Sequence, residues 1–248
     1  MQGAMLLVLV ALLIACYELF EGRASKYIAT AAPVVVTGVT VDTPLPNVTL
    51  TQENGAPTTL SALRGKVVVL APFSTLCGTA CAATTSAFTQ LKAKLAGAGE
   101  SDKVALVELS VDPAEDTPAR LASFAQVSGS SAQLLTGSAA QVAQLWKALG
   151  QFYQVGPPTA SLPRDWLTDD AAPAGVTYSN AVYFIGNGGN LRVADFEGAR
   201  ISLDPGTQEL LSLEGVTPTA APSTGWTVTQ AIGDVESVLD HRFALRKP

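Results

Sequence analysis

The chain has 248 residues, 48% of them apolar, and a net charge of −6. That length fits one domain with insertions and a leader better than two full domains, and an acidic chain repels phosphate backbones, so nucleic acid is excluded as a partner. Three Cys, one His and two Met are too few for a closed zinc site unless nearly all converge, and a histidine-assisted hydrolase would have to use His241; thiol chemistry suits the inventory better.

Residues 4–16 (AMLLVLVALLIAC) form an apolar run closer in length to a signal-peptide core than to a membrane span. Leu13-Ile14-Ala15-Cys16 resembles a bacterial lipobox, in which the cysteine is lipidated and becomes the new N-terminus. No Lys or Arg precedes the run, whereas Arg23 and Lys26 follow it, the reverse of the usual charge order for export. An uncleaved anchor and a buried amphipathic segment therefore stay open beside lipidation at Cys16. Residues 1–20 are read as this leader or anchor, 21–43 as a tether without helical periodicity, and 44–248 as the domain. Either kind of attachment places the domain on the extracytoplasmic face of the cell membrane, where disulfides persist.

Alternation over 47–52, the pair Asn54-Gly55 and residues 57–60 predict a β-hairpin. A short turn of helix follows at 61–65. Residues 66–73 (KVVVLAPF) are a continuous apolar run, the pattern of a strand buried on both faces. Cys77 and Cys81 come directly after it, and residues 84–96 carry Phe88, Leu91 and Leu95 at helical spacing. A second buried strand covers 104–111. A helix opens at Asp116-Thr117-Pro118, with Asp or Thr as its cap and Pro in its first turn. A short strand at 133–135 precedes a helix capped by Ser138 and carrying Val142, Leu145, Trp146 and Leu149. Residues 151–177 read as an inserted loop. A strand at 181–185, a turn at 187–190 and a strand at 191–196 form a second hairpin. Residues 198–225 are another long excursion, and 226–243 a closing helix. Strand, helix, strand, helix, hairpin and helix is the thioredoxin order: an α/β fold with a central mixed sheet flanked by helices, an N-terminal β-hairpin and long loop insertions.

Cys77 and Cys81 sit where a buried strand feeds a helix, a place whose free N–H groups and dipole favour thiolate. Their spacing puts both sulfurs on one face of the first helical turn. They can pair as a disulfide after local adjustment, or clamp one soft metal ion such as Cu(I); an inert structural disulfide is the plainer alternative. No Lys or Arg lies between Lys66 and Lys92, which leaves the dipole as the source of activation.

LSALRGKVVV at 60–69, the C-x-x-x-C pair, LSVDPAEDTP at 109–118, Leu135-Thr136-Gly137 and VYFIGNGGNLR at 182–192 together resemble the Sco/SenC family. Trp226-Thr227-Val228 is similar to a subgroup with a longer C-terminal part, so the likeness spans about 45–239. In that family two cysteines and a histidine bind copper for the binuclear copper centre of cytochrome c oxidase, and some members act as thiol–disulfide reductants. The resemblance assigns the cysteines to Cys77 and Cys81 and the histidine to Tyr178. A neutral phenol is a poor copper ligand, so copper stays an open cofactor and weight moves toward exchange, with Cys77 attacking and Cys81 resolving. His241, beside Asp240 and Arg242 on the polar side of the last helix, does not readily replace the imidazole. Gly78 and Ala82 stand where the family carries prolines. The implied partners are cytochrome c oxidase or another respiratory complex, a thioredoxin-like reductant and, through the leader, the membrane.

Asp112 is expected to form a turn with Pro113, and Asp116 to cap its helix. Two other functions remain. A thiol peroxidase wants a Thr three residues before its cysteine and an Arg nearby; Ser74 holds that place, Thr75 is shifted by one, and no Arg is local. A non-enzymatic accessory subunit or docking module would use 151–177 and 198–225 as partner surfaces.

Overall fold

The computed structural model describes residues 39–76, 78–156, 164–170, 175–216 and 225–239. All of them belong to one compact unit, Thr37–Pro248. Among the described residues ten strands take part: β1 Val39–Pro44, β2 Leu50–Gln52, β3 Pro57–Thr58, β4 Val67–Phe73, β5 Val104–Ser110, β6 Gln133–Thr136, β7 Tyr153–Gly156, β8 Gly175–Tyr178, β9 Val182–Ile185 and β10 Asn190–Asp195. The helices are α1 Thr79–Ala98, α2 Pro118–Ser128, α3 Ala139–Leu149, α4 Pro205–Leu213 and α5 Val228–Leu239. Among the described residues no helix is long and apolar enough to cross a membrane.

Eight strands form one mixed sheet in the order β1-β10-β9-β4-β5-β6-β2-β3, while β7 and β8 make a separate ribbon. β4 is parallel to β5, and β5 to β6, whereas β4 meets β9 antiparallel. The continuous apolar runs of β4 and β5 follow from this central position, because every residue in both strands is buried. Alternation decides the partners. Val67, Val69 and Ala71 face Phe88 and Leu91 of α1 and Ile232 and Val235 of α5. Val68 and Leu70 face the opposite way, onto Val142, Leu145 and Trp146 of α3. Pro72 lacks a ladder N–H and lies past the last β4 residue that pairs with β9. A third apolar cluster closes the C-terminal end of β4. It joins Phe73, Leu76 and Cys81 to Leu121 and Phe124 of α2, Leu210 of α4, and Trp166.

The central mixed sheet with helices on both faces, entered through the β2–β3 hairpin, is a thioredoxin-like fold, as the element order predicts. Four local expectations need correction. β1 lies in the stretch read as tether and pairs with β10. α1 begins at Thr79, five positions before the start expected at residue 84; the small residues of its first turns carry no periodic signal. The 151–177 stretch contains the β7–β8 ribbon, with Tyr153 opposite Tyr178. The 198–225 stretch contains α4, whose Asp204 cap and Pro205 are the usual start signals. Cys16, Cys77, His241, the leader and most of the tether lie outside the described residues.

Two contacts seat α4. Ser86 Oγ of α1 lies 2.6 Å from Thr207 Oγ1 and accepts the Asp204 N–H at 3.0 Å. Gly206 passes so close to α2 that a Cβ there would stand 2.5 Å from the Ser128 carbonyl oxygen. Backbone, not a flexible side chain, would have to yield. Gly206→Ala is therefore expected to cost about 1–3 kcal/mol, read as a lower guanidinium midpoint with an unchanged m-value.

Candidate functional site around Cys81

The site is built at the ends of β4 and β5, beside the first turn of α1. Gly78, the N-cap of α1, has φ 65° and ψ −145°. That region is open to glycine and strained for other residues. Proline, fixed near φ −65°, cannot stand there, which gives a physical reason for Gly78 where the family resemblance expects proline. Cys81 follows in the first turn of α1 and is 3% exposed. It is disulfide-bonded.

Tyr178, at the end of β8, places its hydroxyl against Cys81 Sγ in a short hydrogen bond. A disulfide sulfur has no proton to give, so the tyrosine donates. The Ser74 carbonyl lies 3.5 Å from the same sulfur and becomes an acceptor only for a reduced thiol. Burial, and then the negative charges of Asp116, Glu108 and Glu214, push the Tyr178 hydroxyl well above the usual phenol range; a hydrogen bond from the Ser74 backbone works weakly the other way. The phenol is therefore neutral at any physiological pH and acts as a donor.

The segment between β4 and α1 is held from several sides. Asp116 Oδ1 accepts the Thr75 N–H at 3.0 Å and the Thr75 hydroxyl at 2.5 Å, while its Oδ2 accepts from Ser110 Oγ at 2.5 Å. Arg120 Nε donates to Thr75 Oγ1 at 2.6 Å, and Trp166 Nε1 donates to the Thr75 carbonyl at 2.7 Å. The rest of the Arg120 guanidinium forms two 2.8 Å bonds to Asp165 and sits 5.3 Å from the centre of the Trp166 ring. Residues 164–170 of the inserted segment thus strap the approach to α1. The local sequence lacks a basic residue, but the tertiary structure supplies Arg120.

Asp116 is not the helix cap; Thr117 caps α2 by accepting the Arg120 N–H, and the Asp116 carboxyl turns inward to Thr75 and Ser110. Burial is the main cause that lifts it to about 6, against the hydrogen bonds from Ser110 and Thr75. Asp112 does form the turn after β5, its carbonyl accepting from Glu115 and Asp116 N–H groups. Burial, followed by Glu115, raises its carboxyl. Beneath the site Glu108 of β5, fully buried, accepts from Thr85 of α1 at 2.7 Å and from Ser130 at 3.1 Å. Burial lifts it to about 7. Glu214, just past α4, is 1% exposed and lifted to about 8, chiefly by burial. Glu108, Arg120, Asp165 and Glu214 were not singled out from sequence. A charged residue inside β5 was the one available signal, since an ionisable group in a continuous strand run is seldom accidental.

A family model for SCO1/SenC matches residues 45–194. The chain belongs to the SCO1/SenC family. A Stutzerimonas stutzeri protein described as "Putative copper-binding protein" is 28% identical over 148 residues, covering 60% of this chain and 67% of that one. The solution structure of apo Sco1 from Thermus thermophilus superposes with a TM-score of 0.54 at 19% identity, covering 82% of this chain and 98% of that one. A SCO1/SenC family lipoprotein from Bacillus anthracis gives 0.50 at 22% identity, covering 71% and 96%. At these identities the two structures establish likeness of fold.

Tyr178 is a poor copper ligand to stand beside Cys81. The oxygen nearest to Cys81 is a phenol that spends its proton on the sulfur, and a neutral phenol is a weak donor to Cu(I).

Proposed function

We propose that this SCO1/SenC protein is tethered to the extracytoplasmic face of the membrane, through Cys16 or an uncleaved anchor, and performs thiol–disulfide exchange in cytochrome c oxidase assembly through Cys77 and Cys81. The Tyr178 hydroxyl donated to Cys81 Sγ carries this reading. A donor at that position stabilises a thiolate and supports its departure from a disulfide, where a metal site would need an acceptor.

Cys77, four residues upstream, is taken as the partner of the Cys81 disulfide. Cys81 is too buried to meet another protein's sulfur, so the intermolecular step falls to Cys77. A partner thiolate attacks Cys77, the Cys77–Cys81 bond breaks, and Cys81 leaves as thiolate with the Tyr178 proton shared toward it. A second partner thiolate then attacks its own mixed-disulfide sulfur. The partner leaves oxidised, and the pair holds its two electrons.

A second reading, copper as cargo held by the two sulfurs, is favoured by the 28% identical relative described as copper-binding. One experiment separates the two. Chelator-treated protein is assayed for reduction by a thioredoxin-type dithiol and, once reduced, titrated with Cu(I) against a chromophoric chelator. Exchange abolished by Cys81→Ser, with weak copper binding, is the expected result. Tight one-to-one Cu(I) binding, lost in Cys77→Ala, would reject pure exchange. Tyr178→Phe should raise the thiolate pKa by about 1–2 units, the worth of a hydrogen bond to a charged group. Tyr178→His should strengthen Cu(I) binding by about 10-fold or more.

A further inference from the structure

At the opposite end of β4 from Cys81, about 20 Å away along the strand, the sheet leaves a notch. β4 pairs with β5 from its first residue, Val67 with Val104, but β6 joins β5 only at Val107, opposite Gln133. Among the described residues no strand covers the β6-side edge of β5 over Val104–Leu106. Backbone groups on such an edge must be met by water or by a ligand. A cavity of about 180 Å³ occupies the notch, closed on one side by Lys92 and Leu95 of α1. Its apolar floor is Leu95, Val104 and Leu106. The opening reaches the strand itself: Val104 and Leu106 keep 7% exposure, whereas Val107, once β6 has joined, has none.

The polar wall of the cavity is cationic. Lys66, half-buried before β4, and Lys92, exposed on α1, both line it. Lys92 Nζ donates to the neutral Ser131 carbonyl at 3.3 Å, and Ser131 lines the same cavity. No described ion pair includes either lysine, and among the described residues no Asp or Glu lines the cavity, although acidic residues outnumber basic ones by 21 to 15 in the chain. Two like charges beside one opening repel, and an anion between them relieves that repulsion. An ammonium is a point charge that accepts a carboxylate or a phosphate alike. A bare inorganic ion gains nothing from Leu95, Val104 and Leu106, which reward an apolar body.

We propose that this notch binds a small organic anion, a carboxylate or phosphate head on a short hydrocarbon body, with the head at Lys66 and Lys92 and the body on Leu95, Val104 and Leu106. The cavity is smaller than the roughly 300–1,000 Å³ of sites for drug-sized ligands, which limits the body to a few carbons. The site uses neither cysteine, so it stands or falls apart from the exchange reading.

The test follows the methyl NMR signals of Leu95, Val104 and Leu106 in the oxidised, full-length protein held in phosphatidylcholine nanodiscs. The probes are hexanoate and hexyl phosphate, set against hexanol, hexylammonium and inorganic phosphate. Saturable shifts with at least one of the two amphiphilic anions, at a Kd on the order of 1 mM, are the expected result, and the tighter of the two names the head group. Lys66→Gln and Lys92→Gln should each weaken binding about 3-fold, and together about 10-fold, with the Leu210 methyls beside Cys81 unmoved. Both lysine side chains reach solvent, so these variants keep the fold. Hexanol or hexylammonium binding as tightly as the anions would overturn the role of charge, and with it the proposal. Inorganic phosphate binding as tightly as hexyl phosphate would overturn the apolar floor. No saturation by either anion at about twentyfold above the expected Kd would remove the site.

Discussion

Arg120→Met should lower the folding stability by about 3–5 kcal/mol, the range for removing one member of a buried ion pair. The side chains of Arg120 and Asp165 are each 8% exposed, and their two bonds are 2.8 Å long. Burial works to raise the Asp165 carboxyl, but the Arg120 hydrogen bonds and the Leu167 and Thr168 N–H groups outweigh it and hold the group below the ordinary range. Without the guanidinium that balance reverses: a carboxyl in an apolar cluster must take up a proton or draw in water. Trp166 loses the cation beside its ring, and the Thr75 hydroxyl loses its second partner. The charge should be the larger part of the loss. Arg120→Met combined with Asp165→Asn keeps an acceptor for Leu167 and should recover at least half of it in urea unfolding. A double variant as unstable as the single one would show that packing, not the orphaned charge, sets the cost.

Stability should also fall as pH rises from about 5 to 8.5. Burial is the leading cause that lifts Glu214 to about 8, Glu108 to about 7, and Asp116 and Asp234 to about 6, from ordinary values of 4.5 for Glu and 3.8 for Asp. Between those ordinary values and the raised ones the folded chain keeps protons that the unfolded chain releases. Their contribution is complete below the ordinary values and disappears as pH climbs through 6, 7 and 8. Asp165 has the opposite sign: its folded value is depressed, so its contribution is lost in acid. Maximum stability is therefore expected near pH 4–5, with a decline on the order of several kcal/mol by pH 8.5, each pKa unit being worth about 1.4 kcal/mol. Urea unfolding of the disulfide-intact protein, followed by tryptophan fluorescence at pH 5 and 8.5, measures it. Equal or greater stability at pH 8.5 would contradict the burial argument, and Glu108→Gln should flatten the curve near pH 7 if the argument holds.

The sequence by itself determined the strand–helix order, the burial of β4 and β5 on both faces and the place of Cys81 at the start of the helix that follows a core strand. These are local facts: a run of β-branched residues has few neighbours it can accept, and a helix must follow where the period changes from 2 to 3.6. The early start of α1 was hidden because residues 79–83 are small and carry no stripe. The β7–β8 ribbon was hidden because four residues a side are too few to alternate visibly. Asp116 read as a cap because its neighbour Thr117 offers the same chemistry one position away; only packing against Thr75 and Ser110 decides which of the two turns inward. What the tertiary structure decided was the environment of the sulfur. Tyr178 reaches Cys81 across 97 positions and Asp165 reaches Arg120 across 45, while Glu214 arrives on a helix from the long excursion. Such contacts depend on how separate elements stack at the end of one sheet, and the burial that raises Glu108, Asp116 and Glu214, like the Arg120 bonds that lower Asp165, exists only after they have stacked.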